Sequence, residues 1–125
     1  MAASYEIDSD HSIVCIEYVG VMDPKTAYEI IDRMLEDPEL KPGTHVISDH
    51  SRETTLARPA AVLRVMPRFV DLMRHVGARR CAVVATRAAQ VGMVHLTAVY
   101  ARKRGIELRP FRTREEAAAW LRGED

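Results

Sequence analysis

Hydrophobic and polar positions along the chain repeat with two periods, one of about 2 residues and one of about 3.6 residues. Short runs rich in β-branched residues predict strands at 4–8, 13–19, 45–48, 81–85 and 106–111. Between these runs, apolar residues spaced by three and four positions predict amphipathic helices. The order of the predicted elements is therefore ββαβαβαβα.

Four helices are predicted from their caps and apolar stripes. The first begins after Asp23-Pro24, where an N-cap residue precedes a proline at the first helical position. The second and third cover 59–76 and 90–104, and the fourth follows a capping box that begins at Thr113. Because repeated β-α-β links require right-handed crossovers, we expect an α/β fold with a mostly parallel mixed sheet, an antiparallel edge strand and four flanking helices.

The composition is that of one ordinary globular domain. The 125 residues are 47% hydrophobic and 29% charged, so we expect a single domain over 1–125 that needs no disulfide or metal for its core. No basic start precedes an apolar segment, and no apolar run approaches the ~20 residues of a membrane span. We therefore expect a cytoplasmic protein without a membrane span. Cys15 and Cys81 lack a CxxC pattern and are expected to be small buried hydrophobes.

The net charge is zero, but its distribution along the chain is uneven. Residues 1–50 hold eleven acids and three bases, whereas residues 51–125 hold seven acids and fifteen bases. In an α/β fold the two halves supply neighbouring elements, so many of these charges should face one another or the solvent. A dipolar surface that steers a partner is the alternative. We expect no nucleic-acid partner, because the basic residues lack interleaved surface aromatics.

Two short segments carry a resemblance to a known family. They are Asp49-His50-Ser51, after the third predicted strand, and the closing run from Phe111 to Leu121, with its Phe…Ala-x-x-Trp-Leu ending. Together with the order of elements, they resemble the STAS, or SpoIIAA-like, domains, whose best-known members are anti-sigma-factor antagonists. The resemblance covers nearly the whole chain. It implies a SpoIIAA-like fold and a non-catalytic regulatory or scaffolding module that binds a protein partner.

One motif of the antagonist proteins is missing. In those proteins a strand-ending Asp-x-Ser leads to Asp-Ser-Ser-Gly at a helix start, whose serine is phosphorylated to switch partner binding. The matching stretch here reads Ala57-Arg58-Pro59-Ala60, so the phosphoserine position is absent and Arg58 puts a cation at the helix start. Ser51, Thr54 and Thr55 are alternative sites of modification, although a polar loop accounts for them as well.

Candidate binding residues gather where the predicted strands end. The third strand is predicted to end at Ser48 and to lead into a polar loop from Asp49 to Arg58. Because ligands of open α/β sheets bind outside the carboxyl ends of the strands, this edge is the predicted site for a protein partner or small ligand. Arginines beside two helix starts could also clamp an anion there. The predicted binding residues are Asp49, His50, Ser51, Arg52, Arg58, Thr86 and Arg87.

A second interpretation places a small molecule or lipid in an apolar pocket beneath the second helix. Pro67 should kink that helix or separate a short first turn from the main one. Met66, Phe69, Val70 and Met73 have the spacing of core residues, but methionines beside a kink can also line an adaptable pocket. No cofactor is predicted, and the histidines lack the spacing of a metal site.

The sequence contains no recognisable catalytic motif. Asp49, His50 and Ser51 are adjacent, so in an extended segment they point in alternating directions and cannot form a catalytic triad. There is no Gly-x-Ser-x-Gly elbow, phosphate-binding Gly-rich loop or His-Glu-x-x-His motif. We therefore expect a protein that is not an enzyme. A nucleophile, a proton acceptor and an orienting group converging within hydrogen-bond reach would contradict that expectation. The apolar third helix also allows a homodimer.

Overall fold

The strands and helices follow one another in the order predicted from the sequence, which confirms the α/β fold class. The structure is a computed structural model that describes residues 2–55 and 58–123. The strands are β1 (Ala2–Asp8), β2 (Ile13–Val21), β3 (His45–Thr55), β4 (Arg80–Val84) and β5 (Glu107–Phe111). The helices are α1 (Pro24–Leu35), α2 (Pro59–Val76), α3 (Ala88–Arg102) and α4 (Arg114–Leu121).

The strands lie side by side in chain order, from β1 to β5. β1 pairs antiparallel with β2, and the other pairs are parallel, as predicted. Because every parallel crossover advances in the same direction, right-handed links place α1, α2 and α3 on one face of the sheet. Val14, Ile16 and Val46 pack against those three helices, whereas Ile13 and Ile47 pack against α4 on the other face. The alternation of side chains along each strand therefore divides the core into two layers.

The helix ends follow the local sequence signals. The Asp23 side chain accepts a hydrogen bond from the Lys25 backbone N–H at 3.1 Å, which caps α1. The Thr113 side chain accepts one from the Glu116 backbone N–H at 3.1 Å and caps α4. Helix α2 continues through Pro67 as one helix, so a separate first turn is not formed.

The third strand differs from its prediction. Instead of a loop from Asp49 to Arg58, β3 continues to Thr55. The reason is that β2 also extends further and pairs with it, Glu17 with Asp49 and Val21 with Thr55, across two register shifts. Pairing in the ladder outweighs the low strand propensity of these polar residues. The candidate binding residues that follow Ser48 therefore lie on a strand, where side chains point to opposite faces of the sheet.

The acidic first part and the basic second part of the chain meet in ion pairs. Arg114 Nη2 lies 2.8 Å from Glu17 Oε2, and Arg52 Nη1 lies 3.4 Å from Glu17 Oε1. Arg68 pairs with Asp32 between α2 and α1. The uneven distribution of charge along the sequence is thus partly offset in the folded chain. Within 2–55 and 58–123, no helix is both long enough and apolar enough to cross a membrane.

Candidate functional site

A pocket of about 120 Å³ lies between the sheet and the helices α1, α2 and α3, and we call it the α2 pocket. Its lining is mostly apolar and comes from the sheet and from these helices, through Tyr18, Met22, Ala27, Ile31, Val62, Val65, Met66, Phe69, Val83, Ala85, Met93, Val94 and Leu108. The polar side chains that complete it are Ser48, His50, Glu53, Gln90 and Thr97. An apolar cavity with a few grouped polar side chains is the usual form of a small-molecule site.

Three of these polar side chains form a hydrogen-bonded chain. Ser48 Oγ and His50 Nε2 lie 2.8 Å apart, and His50 Nδ1 bonds to Glu53 Oε1. Ser48 and His50 are two positions apart on β3 and so project from the same face of the sheet, while Glu53 reaches them beyond the irregular stretch of the strand. Ser48 is 6% and Glu53 9% exposed, so both are buried, whereas the His50 side chain between them is 28% exposed.

The Tyr18 ring packs against the imidazole of His50. Its ring stacks on that of His50, with 4.8 Å between the ring centroids and 15° between the planes. Burial, with a further contribution from the negative charge of Glu53, raises the pKa of Tyr18 well above its usual value. The hydroxyl therefore stays protonated. It has no hydrogen-bond partner among the described residues, although Tyr18 is only 5% exposed and lines the pocket.

Gln90 fixes the position of β3 relative to the start of α3. Its Nε2 donates to the His50 carbonyl oxygen at 2.9 Å, and its Oε1 accepts from the backbone N–H groups of Thr86 at 3.0 Å and Arg87 at 3.2 Å. The Arg87 guanidinium donates to the backbone carbonyl of Glu53. These bonds hold both ends of the His50–Glu53 segment from a neighbouring helix. They therefore restrict the positions of Ser48, His50 and Glu53 relative to one another.

Asp49 projects from the opposite face of β3, toward α4. Its Oδ1 accepts from the Ser51 backbone N–H at 2.9 Å and from Ser51 Oγ at 2.7 Å, and its Oδ2 accepts from Arg114 Nε at 2.6 Å. Burial would raise the pKa of Asp49, but the bonds from Ser51 and Arg114 outweigh it and hold the pKa below its usual value. Asp49 and Ser51 therefore stabilise the α4 layer and do not reach the α2 pocket.

The remaining residues of the predicted edge are separated from one another. The Arg52 side chain is exposed and pairs with Glu17, and Arg58 is exposed at the N-cap of α2 without a side-chain capping bond. Thr86 is exposed at the start of α3. The predicted binding residues on β3 thus project from both faces of the sheet. Of the predicted binding residues, His50 lines the α2 pocket. A role for this edge in partner binding stays a prediction.

The hydroxyls considered for modification lie on β3. Thr54 and Thr55 are exposed, and Ser51 is half-buried. Ala57, which belongs to the stretch that replaces the antagonist serine motif, lies outside the described residues. Modification of these hydroxyls stays a prediction.

The predicted apolar pocket corresponds in part to the α2 pocket. Met66 and Phe69 line it, whereas Val70 and Met73, 3% and 0% exposed, are core residues that do not line it. Sequence reasoning missed Ser48 and Glu53. The spacing Ser48-x-His50 in a strand is a usable signal for a shared face, whereas Glu53 falls in the segment that the sequence predicts to be a loop.

A hydroxyl, an imidazole and a carboxylate lie within hydrogen-bond reach of one another in the pocket. Asp49 and Ser51 point away from the pocket, as the alternation rule predicts, whereas Ser48 and Glu53 lie on either side of the His50 imidazole. Whether the protein is an enzyme stays a prediction.

Neither the cysteines nor the acidic and histidine side chains form a metal site in the described part of the chain. Within 2–55 and 58–123, no group of three or more His, Cys, Asp or Glu side chains is placed to hold a metal ion. Both cysteines are free thiols. Burial raises the pKa of Cys15 to about 11 and raises that of Cys81 further, so neither is a thiolate at neutral pH.

The fold matches a known architecture, although the sequence matches no protein-family model and no curated protein. The chain is similar to an uncharacterized protein of the DUF3478 family from Shewanella loihica PV-4, which has a SpoIIAA-like fold. The two are 16% identical, with a TM-score of 0.65, and the match covers 96% of this chain and 94% of the other. As the resemblance in sequence predicted, the chain has a SpoIIAA-like fold.

Proposed function

We propose that this protein is a SpoIIAA-like domain that binds a small, mostly apolar ligand with one polar group in the α2 pocket. The observation that carries the proposal is the Tyr18 hydroxyl, which lines a mostly apolar pocket and has no hydrogen-bond partner among the described residues. No fully buried side-chain nitrogen or oxygen of the described residues lacks a partner, so this hydroxyl is open to the pocket. A ligand oxygen can accept its hydrogen bond there.

The size of the pocket limits the ligand. An apolar cavity of roughly 150 Å³ holds benzene. The α2 pocket, at about 120 Å³, is of similar size. We therefore propose a ring or a short acyl chain as the bound group, and the full tail of a membrane lipid would need a larger cavity. This choice favours the small-molecule form of the second interpretation over its lipid form.

The methionines provide a direct test of binding. Met22, Met66 and Met93 line the pocket, whereas Met34 and Met73 are buried elsewhere in the core. We expect hexanoic acid or benzyl alcohol to shift the NMR signals of the first three methyl groups in a saturable way and to leave the other two unchanged. Saturable shifts at none of them, or equal shifts at all five, would contradict the proposal.

A pair of tryptophan variants tests the location of the site. Met66→Trp places a larger side chain, an indole ring, in the cavity, and the control Leu63→Trp places the same ring on the exposed side of the same helix. We expect the first variant to lose the methyl shifts and the second to keep them. Binding that survives in Met66→Trp would move the ligand site away from the α2 pocket.

A second candidate is the regulatory interaction module that the resemblance implies. It is supported by the SpoIIAA-like fold and by the exposed Arg58, whose guanidinium makes no capping bond at the start of α2. The test compares Arg58→Glu with Arg74→Glu, which reverses an exposed charge near the other end of the helix. A partner from the native host that is lost only with Arg58→Glu would support this function. A partner lost equally with both variants would not.

The cellular context and the oligomeric state stay predictions. The expected cytoplasmic location can be tested by fractionation of the native host. The possible homodimer would use α3, where Leu96 and Val99 are 43% and 48% exposed. Sedimentation of the wild type and of Leu96→Glu would report whether that surface joins two copies.

A further inference from the structure

We propose that Ser48, His50 and Glu53 form a catalytic triad that hydrolyses small esters bound in the α2 pocket. The proposal rests on the α2 pocket as a ligand site, and it adds chemistry to that site. Ser48 is the nucleophile, His50 the general base and acid, and Glu53 the residue that orients the imidazole. Each of the three lines the pocket in which the substrate would lie.

The hydrogen-bond distances fit these roles. In the tautomer that carries its proton on Nδ1, the imidazole donates to Glu53, and Nε2 accepts the Ser48 hydroxyl proton across 2.8 Å. A serine, a base within hydrogen-bond reach and a third group that orients the base make up the general arrangement of an activated nucleophile. No element of this chain needs to move to form it.

The surroundings suit such chemistry because they hold the imidazole in place beside a mostly apolar lining. The stacked ring of Tyr18 and the hydrogen bond between His50 Nδ1 and Glu53 fix the plane of the His50 ring. The bond from Gln90 to the His50 carbonyl fixes the backbone beneath it. Beside an apolar lining, charges and dipoles act more strongly on a developing oxyanion than in water. The unpartnered Tyr18 hydroxyl is a protonated donor available to a substrate oxygen.

The pocket also limits the acyl group. Most of its lining is apolar and includes side chains such as Val65, Met66 and Val94, which suits a hydrocarbon chain. A volume of about 120 Å³ fits a short chain or a ring. We therefore expect butyryl esters to react faster than palmitoyl esters.

The reaction has two balanced steps. Ser48 Oγ attacks the ester carbonyl carbon while His50 Nε2 takes the hydroxyl proton. The bond from that carbon to the alcohol oxygen breaks, the alkoxide receives the proton from His50, and the acyl group stays on Ser48. Water then gives a proton to His50 Nε2 as its oxygen attacks the acyl carbon, and Ser48 Oγ leaves and regains that proton. One ester and one water yield one acid and one alcohol.

The experiment uses p-nitrophenyl butyrate with the full chain. We expect a burst of about one p-nitrophenolate per protein. Intact mass spectrometry should show one added butyryl group, and peptide mapping of the wild-type protein should place it on Ser48. A butyryl group found instead on Lys25, Lys41 or another surface residue would overturn the proposal. Because this test uses the wild-type protein, its result does not depend on the folding of a variant.

Variants separate catalysis from binding. We expect Ser48→Ala to abolish the burst and His50→Gln to slow acylation by about 10²–10⁴-fold, the usual contribution of a general base. Ser9→Ala, which removes an exposed hydroxyl in the β1–β2 turn, should react like the wild type. Glu53→Gln should slow the reaction less than His50→Gln, because the amide can still accept from Nδ1. Equal rates in the wild type and Ser48→Ala would overturn the assignment.

A non-reactive ligand distinguishes failure of the triad from failure of the pocket. Butyramide should shift the methyl signals of Met66 and Met93 in both the wild type and Ser48→Ala. Butyramide binding without any acylation of the wild type would overturn the triad and leave the ligand-binding function intact. Loss of both binding and acylation would overturn both.

Discussion

Replacement of Arg114 by methionine should lower the free energy of unfolding by an amount that depends on pH. Arg114 joins α4 to β3 through its bond to Asp49, which is 3% exposed. Methionine keeps much of the aliphatic stem and removes the charge. A hydrogen bond to a charged group contributes about 1.5–3 kcal/mol, but solvent screens the partly exposed guanidinium, so we expect a loss of about 1.5 kcal/mol at pH 7. Asp49 keeps its two bonds from Ser51 in this variant.

The sign of the pH dependence follows from the direction of the Asp49 shift. The pKa of Asp49 is lower in the folded than in the unfolded chain, so its ionised form stabilises the fold above the unfolded value of about 3.9. That contribution is lost as the pH falls through the lower, folded pKa. The penalty of Arg114→Met should therefore shrink as the pH is lowered below about 4.

Urea unfolding at a series of pH values is the assay, with Asp49→Asn completing a double-mutant cycle. Arg52→Met is the matched control, because Arg52 also pairs with Glu17 but not with Asp49. We expect that control to change the free energy of unfolding by less than about 0.5 kcal/mol. A penalty for Arg114→Met that stays constant as Asp49 becomes protonated, or one that persists in the Asp49→Asn background, would refute the reasoning.

Three further predictions test other parts of the structure. Thr113→Ala removes the N-cap of α4 and should cost about 1 kcal/mol in chemical unfolding, whereas Thr113→Ser should retain most of the stability. Gln90→Ala leaves the His50 carbonyl without its side-chain donor and should lower the free energy of unfolding by about 1–3 kcal/mol. Hydrogen exchange at the start of α3 should become faster, and unchanged exchange there would contradict this role. Cys81 is buried, whereas Cys15 is only half-buried and not fully buried as expected. The raised pKa values predict that both react slowly with a thiol reagent at neutral pH and quickly in denaturant, so rapid labelling of Cys81 in the folded protein would contradict its placement.

The sequence predicted the fold well because its signals are local. The caps at Asp23-Pro24 and at Thr113 each act within one turn of a helix. The SpoIIAA-like order of elements followed from these boundaries. The end of β3 was predicted wrongly because it depends on β2, which lies far away in sequence and supplies the pairing partners of the polar residues up to Thr55.

The candidate site was predicted less well for the same reason. Met66 and Phe69 were found from helical spacing, but Val70 and Met73 share that spacing and face the core instead. The relation of Ser48 to His50 was available from strand alternation, whereas the contact with Glu53 requires the continued strand and its register shifts. Contacts that depend on irregular pairing between strands leave no simple spacing in the sequence.

The placement of α4 alone on its face of the sheet has a consequence for folding. Ile13, Ile47, Ala82 and Val84 are covered from that side by Ala117, Trp120 and Leu121. A folding intermediate that holds the sheet before α4 docks would therefore display an apolar surface. Intermediates of this kind aggregate and are bound by chaperones.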